Sequence, residues 1–259
     1  MNRPVMEYRS YDQDFVEAPD QQYELPPDYR WLRTSPCDKL RSGLIYGAAL
    51  LFASVYLPFG LHVRIKNRKV LKQAAKTGFF LYGNHTQPVG DVVLPAMAAF
   101  PRRIYTVVGT ANLSLPVLGQ LLPYLGALPL PATLSGTKKL HEAIAHRLQT
   151  GHPIVIYPEA HVWPYYAGVR PYSEAAFKYP LKFHAPVFCM TTTYQKRRFG
   201  KKPRLTLYLD GPFEPDTTLS PKAQAAAMRD VVYACMKQRC DAHNDTEYIV
   251  YRPAEDTEL

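Results

Sequence analysis

The sequence predicts an α/β fold: a mixed, largely parallel sheet flanked by helices, with an apolar, membrane-associated helical segment near the N-terminus. Three observations predict it. Short apolar or β-branched runs alternate with stretches of helical spacing, the pattern of strands joined by crossover helices. The last two runs are separated instead by the basic stretch QKRRFGKKPR, which suits an antiparallel hairpin. Ahead of them all, residues 43–63 contain no Lys, Arg, Asp or Glu.

Taken in order, residues 1–36 are polar, acidic and broken by Pro4, Pro19, Pro26, Pro27 and Pro36, so they read as an extended arm. The arm is expected to lie over a basic body, with Tyr29, Trp31 and Leu32 pinning its end. Residues 37–66 hold the apolar segment. Its length suits a spanning helix, yet Arg30, Arg33, Lys39 and Arg41 precede it while Arg64, Lys66, Arg68, Lys69 and Lys72 follow it, so no orientation is favoured. Pro58 and Gly60 should also bend or end the helix early. A segment dipping into one leaflet, with flanking bases on anionic head groups, fits better than a span; a buried core helix is the alternative. Residues 67–259 form the main domain.

Within it, strands are expected at 78–82, 104–108, 127–130, 154–157, 187–194 and 205–209. Helices are expected from Asp91 to Phe100 and from Thr137 to Gln149, the second closed by Gly151. A short helix capped by Ser173 should run from Glu174 to Tyr179, where Pro180 interrupts it. A last helix opens with Ser220 as cap and Pro221 in its first turn, and runs to His243.

Apolar residues make up 47% of the chain, enough for a large core. The net charge of +9 is uneven: residues 1–29 carry seven acids and two bases, −5, which leaves +14 for the rest. Such a body suits anionic lipid, nucleic acid or a polyphosphate ligand. No stacking platform or nucleic-acid module accompanies QKRRFGKKPR, so nucleic acid is not expected as a partner, and the loop reads as a solvated tip or a lipid head-group contact. Cys37, Cys189, Cys235 and Cys240 show no C-x-x-C spacing, and the acidic N-terminus is no signal peptide; reduced, intracellular thiols follow. His141 and His146 are five apart and do not share a helix face, so no metal site is expected.

The chemistry concentrates in two strand ends. FFLYGNHTQPVGDVV, residues 79–93, stops at Gly83-Asn84 and presents His85, with Asp91 where a helix begins. Carboxyl ends of strands are where ligands bind in such sheets. A neutral imidazole there can take a proton from an alcohol while a carboxylate on its other nitrogen orients it; alone, the pair also reads as a structural hydrogen bond. The second stretch, IVIYPEAHVWP at 154–164, places Glu159 and His161 at the same sheet edge. Around it Trp163, Tyr165, Tyr166, Tyr172, Phe177 and Tyr179 suit an interfacial belt, the wall of a binding pocket or ordinary packing.

Together these blocks resemble the glycerolipid acyltransferases that include 1-acylglycerol-3-phosphate and lysophospholipid acyltransferases. Asn84, His85 and Asp91 match the family's first motif, and Tyr157, Pro158 and Glu159 match its third. Residues 125–129, LGALP, resemble the second, and Ala185-Pro186-Val187 falls where the fourth lies. The resemblance implies transfer of a fatty acyl group from an acyl thioester, on coenzyme A or acyl carrier protein, to a lysolipid hydroxyl. His85 is then the base and Asp91 its orienting acid. Backbone N–H groups at Glu159 and Ala160 stabilise the oxyanion, while Asn84, Glu159, His161 and Arg170 bind substrate. It implies no permanently bound cofactor, no metal and no covalent intermediate, with membrane lipid as partner at the cytoplasmic face. A hydrolase, an acyltransferase for a non-lipid acceptor, and a catalytically weak lipid-binding protein are the alternatives.

Three departures from the family pattern stand out. His85 and Asp91 are separated by five residues where four are usual, the third motif continues Ala160-His161-Val162 in place of Gly-Thr-Arg, and the second lacks its Arg. The bidentate phosphate clamp is thereby lost, leaving Lys138, Lys139, Arg170 and Lys178 as the nearest bases or an acceptor without a terminal phosphate.

Overall fold

The computed structural model describes residues 3–74 and 77–255; the few other residues of the expected arm and main domain lie outside them. The arm carries a strand that its proline content concealed. β1 (Val5–Tyr8) pairs in parallel with Val250–Pro253 near the other end of the chain, a two-stranded ribbon separate from the main sheet. The remainder of the arm lies across the body, fixed where Trp163 Nε1 donates to Gln13 O (2.8 Å), Asp20 N to Ser114 Oγ (3.1 Å) and Trp31 Nε1 to Pro129 O (2.9 Å).

The apolar segment is helix α1 (Pro36–Val55). Ser35 Oγ caps it by accepting from Asp38 N (3.1 Å), and Pro36 occupies the first turn, where its missing N–H is not needed. The helix ends ahead of Pro58 and continues as a wider π-type turn over Tyr56–Gly60. Pro36–Gly60 is long and apolar enough to cross a membrane, and only 11% of its apolar window is buried. Leu40, Leu44, Leu51, Phe52, Val55 and Phe59 are exposed, unlike the side chains of a core helix.

Seven strands form the main sheet. After β2 (Arg64–Lys66) and a 3₁₀ stretch at Arg68–Ala74 come β3 (Phe80–Gly83), α2 (Gly90–Ala99), β4 (Tyr105–Val108), α3 (Leu118–Leu125), β5 (Ala127–Pro129), α4 (Leu134–Gln149) and β6 (Ile154–Ile156). A 3₁₀ turn at Glu174–Phe177 leads into α5 (Lys178–Phe183), followed by β7 (Val187–Gln195), β8 (Arg204–Phe213), α6 (Pro221–His243) and β9 (Val250–Pro253). The spatial order is β2-β8-β7-β3-β6-β4-β5, with β7 and β8 antiparallel and the other neighbours parallel. The basic loop between β7 and β8 is thus a hairpin tip, and Phe199 stands exposed on it.

The final helix spans the expected residues, with Ser220 Oγ accepting from Ala223 N. Helix α4 begins three residues before Thr137, because Thr133 Oγ1 caps it by accepting from Gly136 N (3.1 Å). Pro180 does not interrupt the short helix. It sits in the first turn of α5, where a proline costs no intrahelical bond, and the boundary falls instead after Phe177.

Strands near the middle of the sheet read as unbroken apolar runs because both faces are covered. In β3 and the residue before it, Phe79 and Leu81 join the core under α1 and α2, while Phe80 and Tyr82 join the core under α4 and α6. The entry to this strand is tight. Gly78 N donates to Leu148 O (2.9 Å), and a Cβ at this position would come within 2.5 Å of Leu148 Cα and 2.6 Å of His152 O. Gly78→Ala should therefore destabilise the fold by about 1–3 kcal/mol, since backbone on both sides has to move. Chemical denaturation checks this, and an unchanged midpoint would contradict the packing described.

Candidate active site

Strand β3 delivers Asn84 and His85 to the carboxyl edge of the sheet. Asn84 is buried and fully spent: its Nδ2 donates to Thr192 O (3.0 Å) and its Oδ1 accepts from Thr192 N (2.8 Å). It ties the loop after β3 to β7 and, though expected to bind substrate, is not among the residues that line the cavity.

The loop from His85 to Asp91 closes on the Asp91 carboxylate. Oδ2 accepts from His85 Nδ1, Thr86 N and Gln87 N, each at 2.9 Å, while Asp91 N donates to Gln87 O (3.0 Å) and opens α2. This turn absorbs the extra residue between His and Asp. Two backbone donors and the ring nitrogen converge on one oxygen, so the loop is built around the acid. Tyr194 supports it from β7, donating to Thr86 Oγ1 (2.7 Å) and accepting from Gln87 Nε2 (2.9 Å).

The imidazole plane is fixed by a second element. Tyr157, just past β6, stacks on His85 with ring centroids 4.3 Å apart and planes 16° apart, and its hydroxyl donates to Asp91 O (2.7 Å). Burial, and then the charge of Asp91, hold this phenol well above its ordinary value, so it remains a donor. His85 lines the cavity, and among the described residues nothing hydrogen-bonds its Nε2.

Behind the histidine lies a buried ion pair. Glu159 Oε2 accepts from Arg170 Nε at 2.8 Å, both side chains almost fully enclosed, while Glu159 Oε1 accepts from His85 N (3.4 Å). Arg170 spends its other donors on Glu159 O (3.3 Å), His161 O and Tyr11 O (2.8 Å), and its guanidinium lies over Trp163. Burial raises the Glu159 carboxyl above its ordinary value, with the Arg170 charge pulling the other way. Both were expected to bind substrate; they lie off the cavity lining, and the donors of Arg170 that would grip a phosphate hold protein oxygens.

The turn after β6 is strained. Ala160 has φ of 63°, a left-handed conformation that a glycine adopts freely and other residues only at a cost. Its N–H donates to Tyr157 O (3.1 Å) and His161 N to Glu159 O (2.8 Å), so Ala160 N–H, an expected oxyanion donor, is occupied. His161 does line the cavity, where its Nδ1 meets the carboxylate of Asp14 at 3.2 Å. Asp14, with Val16, Ala18 and Gln21, brings the arm to the cavity wall. The acidity of the arm against a basic body was the available signal for that contact. Trp163 and Tyr166 are used to pack the arm, against Tyr8, Tyr11 and Tyr251.

The cavity itself measures about 760 Å³. Its walls are largely apolar, with Leu50 and Ala53 of α1, Val93 and Ala96 of α2, and Leu118 and Leu122 of α3 among them. A cluster with metal-ligand chemistry, Cys189, Asp210 and Cys235, lies elsewhere, and both oxygens of Asp210 are held by Arg239. His141 bonds Lys182 Nζ (2.7 Å).

Comparison with known proteins settles the family. The family profile described as Acyltransferase matches residues 62–192, just over half of the chain. The chain belongs to this acyltransferase family. Its fold is shared with the 1-acyl-sn-glycerophosphate acyltransferase PlsC of Thermotoga maritima, with a TM-score of 0.54 and 13% identity over 80% of this chain and 84% of that one. Comparison with curated proteins gives no match. Within the acyltransferase profile fall His85, Asp91, Glu159, His161 and Arg170, while Asp14 and all of α1 lie ahead of it.

Removing Arg170 leaves Glu159 charged and unpaired in a dry site, and this type of change costs about 3–5 kcal/mol. Arg170→Ala should therefore destabilise the acyltransferase strongly, and Arg170→Ala with Glu159→Gln should recover part of the loss. Denaturation of the single and double variants checks it; a mild effect of Arg170→Ala would show that the pair is not the anchor described.

Proposed function

We propose that this acyltransferase moves a fatty acyl group from an acyl thioester, carried on coenzyme A or acyl carrier protein, to the free hydroxyl of a lysoglycerophospholipid or related glycerolipid. The observation that carries the reading is the His85–Asp91 pair, ordered on one nitrogen and open on the other, at the wall of a large apolar cavity. His85 Nε2 takes the hydroxyl proton as the oxygen attacks the thioester carbonyl. The C–S bond then breaks and the imidazolium returns the proton to the leaving thiolate. Asp91 keeps the proton of the resting ring on Nδ1 and stabilises the imidazolium. With Ala160 N–H occupied, Glu159 N–H, which makes no hydrogen bond among the described residues, is the remaining backbone donor of the two for the oxyanion. The cavity volume falls in the range of roughly 300–1,000 Å³ typical of small-ligand sites, and its apolar walls suit an acyl chain.

His85→Ala should lower kcat by about 10²- to 10⁴-fold without loss of fold, the usual worth of a positioned general base. The assay uses purified protein, a labelled long-chain acyl thioester and a panel of lysolipids. Labelled diacyl product supports transfer. Free fatty acid formed independently of acceptor points to hydrolysis, binding without turnover to a lipid-binding protein, and an undiminished His85→Ala variant rules out the base.

The exposed apolar face of α1 favours attachment to a membrane, which we place at the cytoplasmic face, with Arg64, Lys66 and Lys69 following the segment as head-group contacts. Detergent-free fractionation should recover the full chain with membranes, and wholly soluble protein overturns this placement.

A further inference from the structure

We propose that the acceptor of this enzyme carries an ammonium in its head group and no phosphate monoester, and that Asp14 of the arm selects it. The inference rests on the acyl-transfer reading and names the substrate class of that same site.

The cavity has a sorted lining. Its apolar walls come from α1, α2, α3 and the strands between them, and its charged or titratable side chains, apart from Tyr46, Tyr157 and Tyr179, are Asp14, His85, Asp91 and His161. Among the described residues no Lys or Arg lines it. Arg170, bonded to the His161 backbone oxygen, is 1% exposed and spends four of its five N–H donors on Glu159, Tyr11 and His161 oxygens. Lys138, Lys139 and Lys178 are exposed and lie off the cavity. A dianionic phosphate monoester held in a partly buried site needs paired cations or a fork of donors to replace its water. This cavity supplies neither, and Asp14 meets the phosphate with a charge of its own sign.

The position of Asp14 makes the converse argument. An acceptor whose hydroxyl reaches His85 lays its chain along the apolar walls, so its head group falls to the polar part of the lining. That part includes Asp14 and Gln21 of the arm and His161, with Thr106, Thr110, Asn112 and Ser173 the other neutral polar side chains. Residues 12–28 of the arm include Asp12, Asp14, Glu17, Asp20, Glu24 and Asp28 and no Lys or Arg. A local field of this sign attracts a cation and repels an anion within the screening length of about 8 Å at physiological salt. Asp14 is about one-fifth exposed; its Oδ2 meets His161 Nδ1 at 3.2 Å and its Oδ1 accepts from Val16 N at 2.9 Å, which fixes the carboxylate at the cavity wall with a further lone pair on each oxygen for an ammonium.

The test compares acceptors of identical acyl chain and different head group, using the purified full chain in neutral detergent micelles with one labelled long-chain acyl-coenzyme A. The acceptors are lysophosphatidylethanolamine, lysophosphatidylcholine, lysophosphatidate and monoacylglycerol, and the readout is kcat/KM. An ammonium-bearing acceptor should exceed lysophosphatidate by about tenfold or more, the scale of one charge-assisted hydrogen bond. Asp14→Asn should bring that ratio toward one. Because the ratio is measured within one preparation, partial misfolding of the variant does not change it. Lysophosphatidate or monoacylglycerol equal to the ammonium acceptors overturns the inference, as does an unchanged ratio in Asp14→Asn. Acylation of none of the four acceptors overturns the acyl-transfer reading itself, an outcome distinct from acylation with the wrong preference.

Discussion

The buried pair of Glu159 and Arg170 is the constraint on which the rest of the site depends. One carboxylate reaches His85 N and one guanidinium reaches Tyr11 O, Glu159 O and His161 O, so three segments distant in sequence meet at a single charge-assisted node. Both side chains are almost wholly enclosed from bulk solvent. Two charges in such a place hold only if each donor and acceptor is matched, and here they largely are. The turn after β6 is thereby locked beside the loop after β3, which Trp163 N and Tyr165 N reinforce by donating to His85 O and Thr86 O. The strain at Ala160 is sustained by the same surroundings.

From that node the ordering of the histidine follows. Its ring is held by three independent means: the Asp91 carboxylate on Nδ1, the Tyr157 ring against its face, and the backbone bond to Glu159. Asp91 sits on α2 while Tyr157 and Glu159 share the turn after β6, so the imidazole is held from two elements at once. Preorganisation of this type lets a base act without first finding its orientation. The same geometry explains how five intervening residues are tolerated where four are usual in the resembling family. The turn curls around Asp91 Oδ2 instead of extending, and the added length goes into backbone donors for that oxygen.

Much of the sheet was legible because parallel, doubly covered strands must be apolar on both faces, as Phe79 to Tyr82 are. The His85 and Asp91 pairing was legible from motif order, and their contact needed only the turn. The rest depended on partners remote in sequence. β1 and β9 have no strand-like run of their own and exist by pairing with each other. β2 is three residues long at the sheet edge, and α3 encloses Pro123. Arg170 looked available because a sequence shows a charge and not its occupancy, and Asn84 likewise hid its two bonds to Thr192. The acidity of the arm indicated that it lies over the basic body, but not that Asp14 in particular reaches the cavity.

The arm and α1 therefore share a division of labour that neither shows alone. Helix α1 turns Leu50 and Ala53 toward the cavity and leaves Leu51, Phe52 and Val55 exposed, so one helix is at once an inner wall and an outer apolar face. Under the proposed placement at a leaflet, a lipid chain reaches the cavity along that helix without crossing bulk water, which avoids the cost of about 0.8 kcal/mol for each CH₂ exposed. The arm, acidic and tied down through Trp163 and Arg170, closes the polar side. Under the proposed selectivity the apolar walls and Asp14 act on the two ends of a single amphipathic molecule whose hydroxyl meets His85.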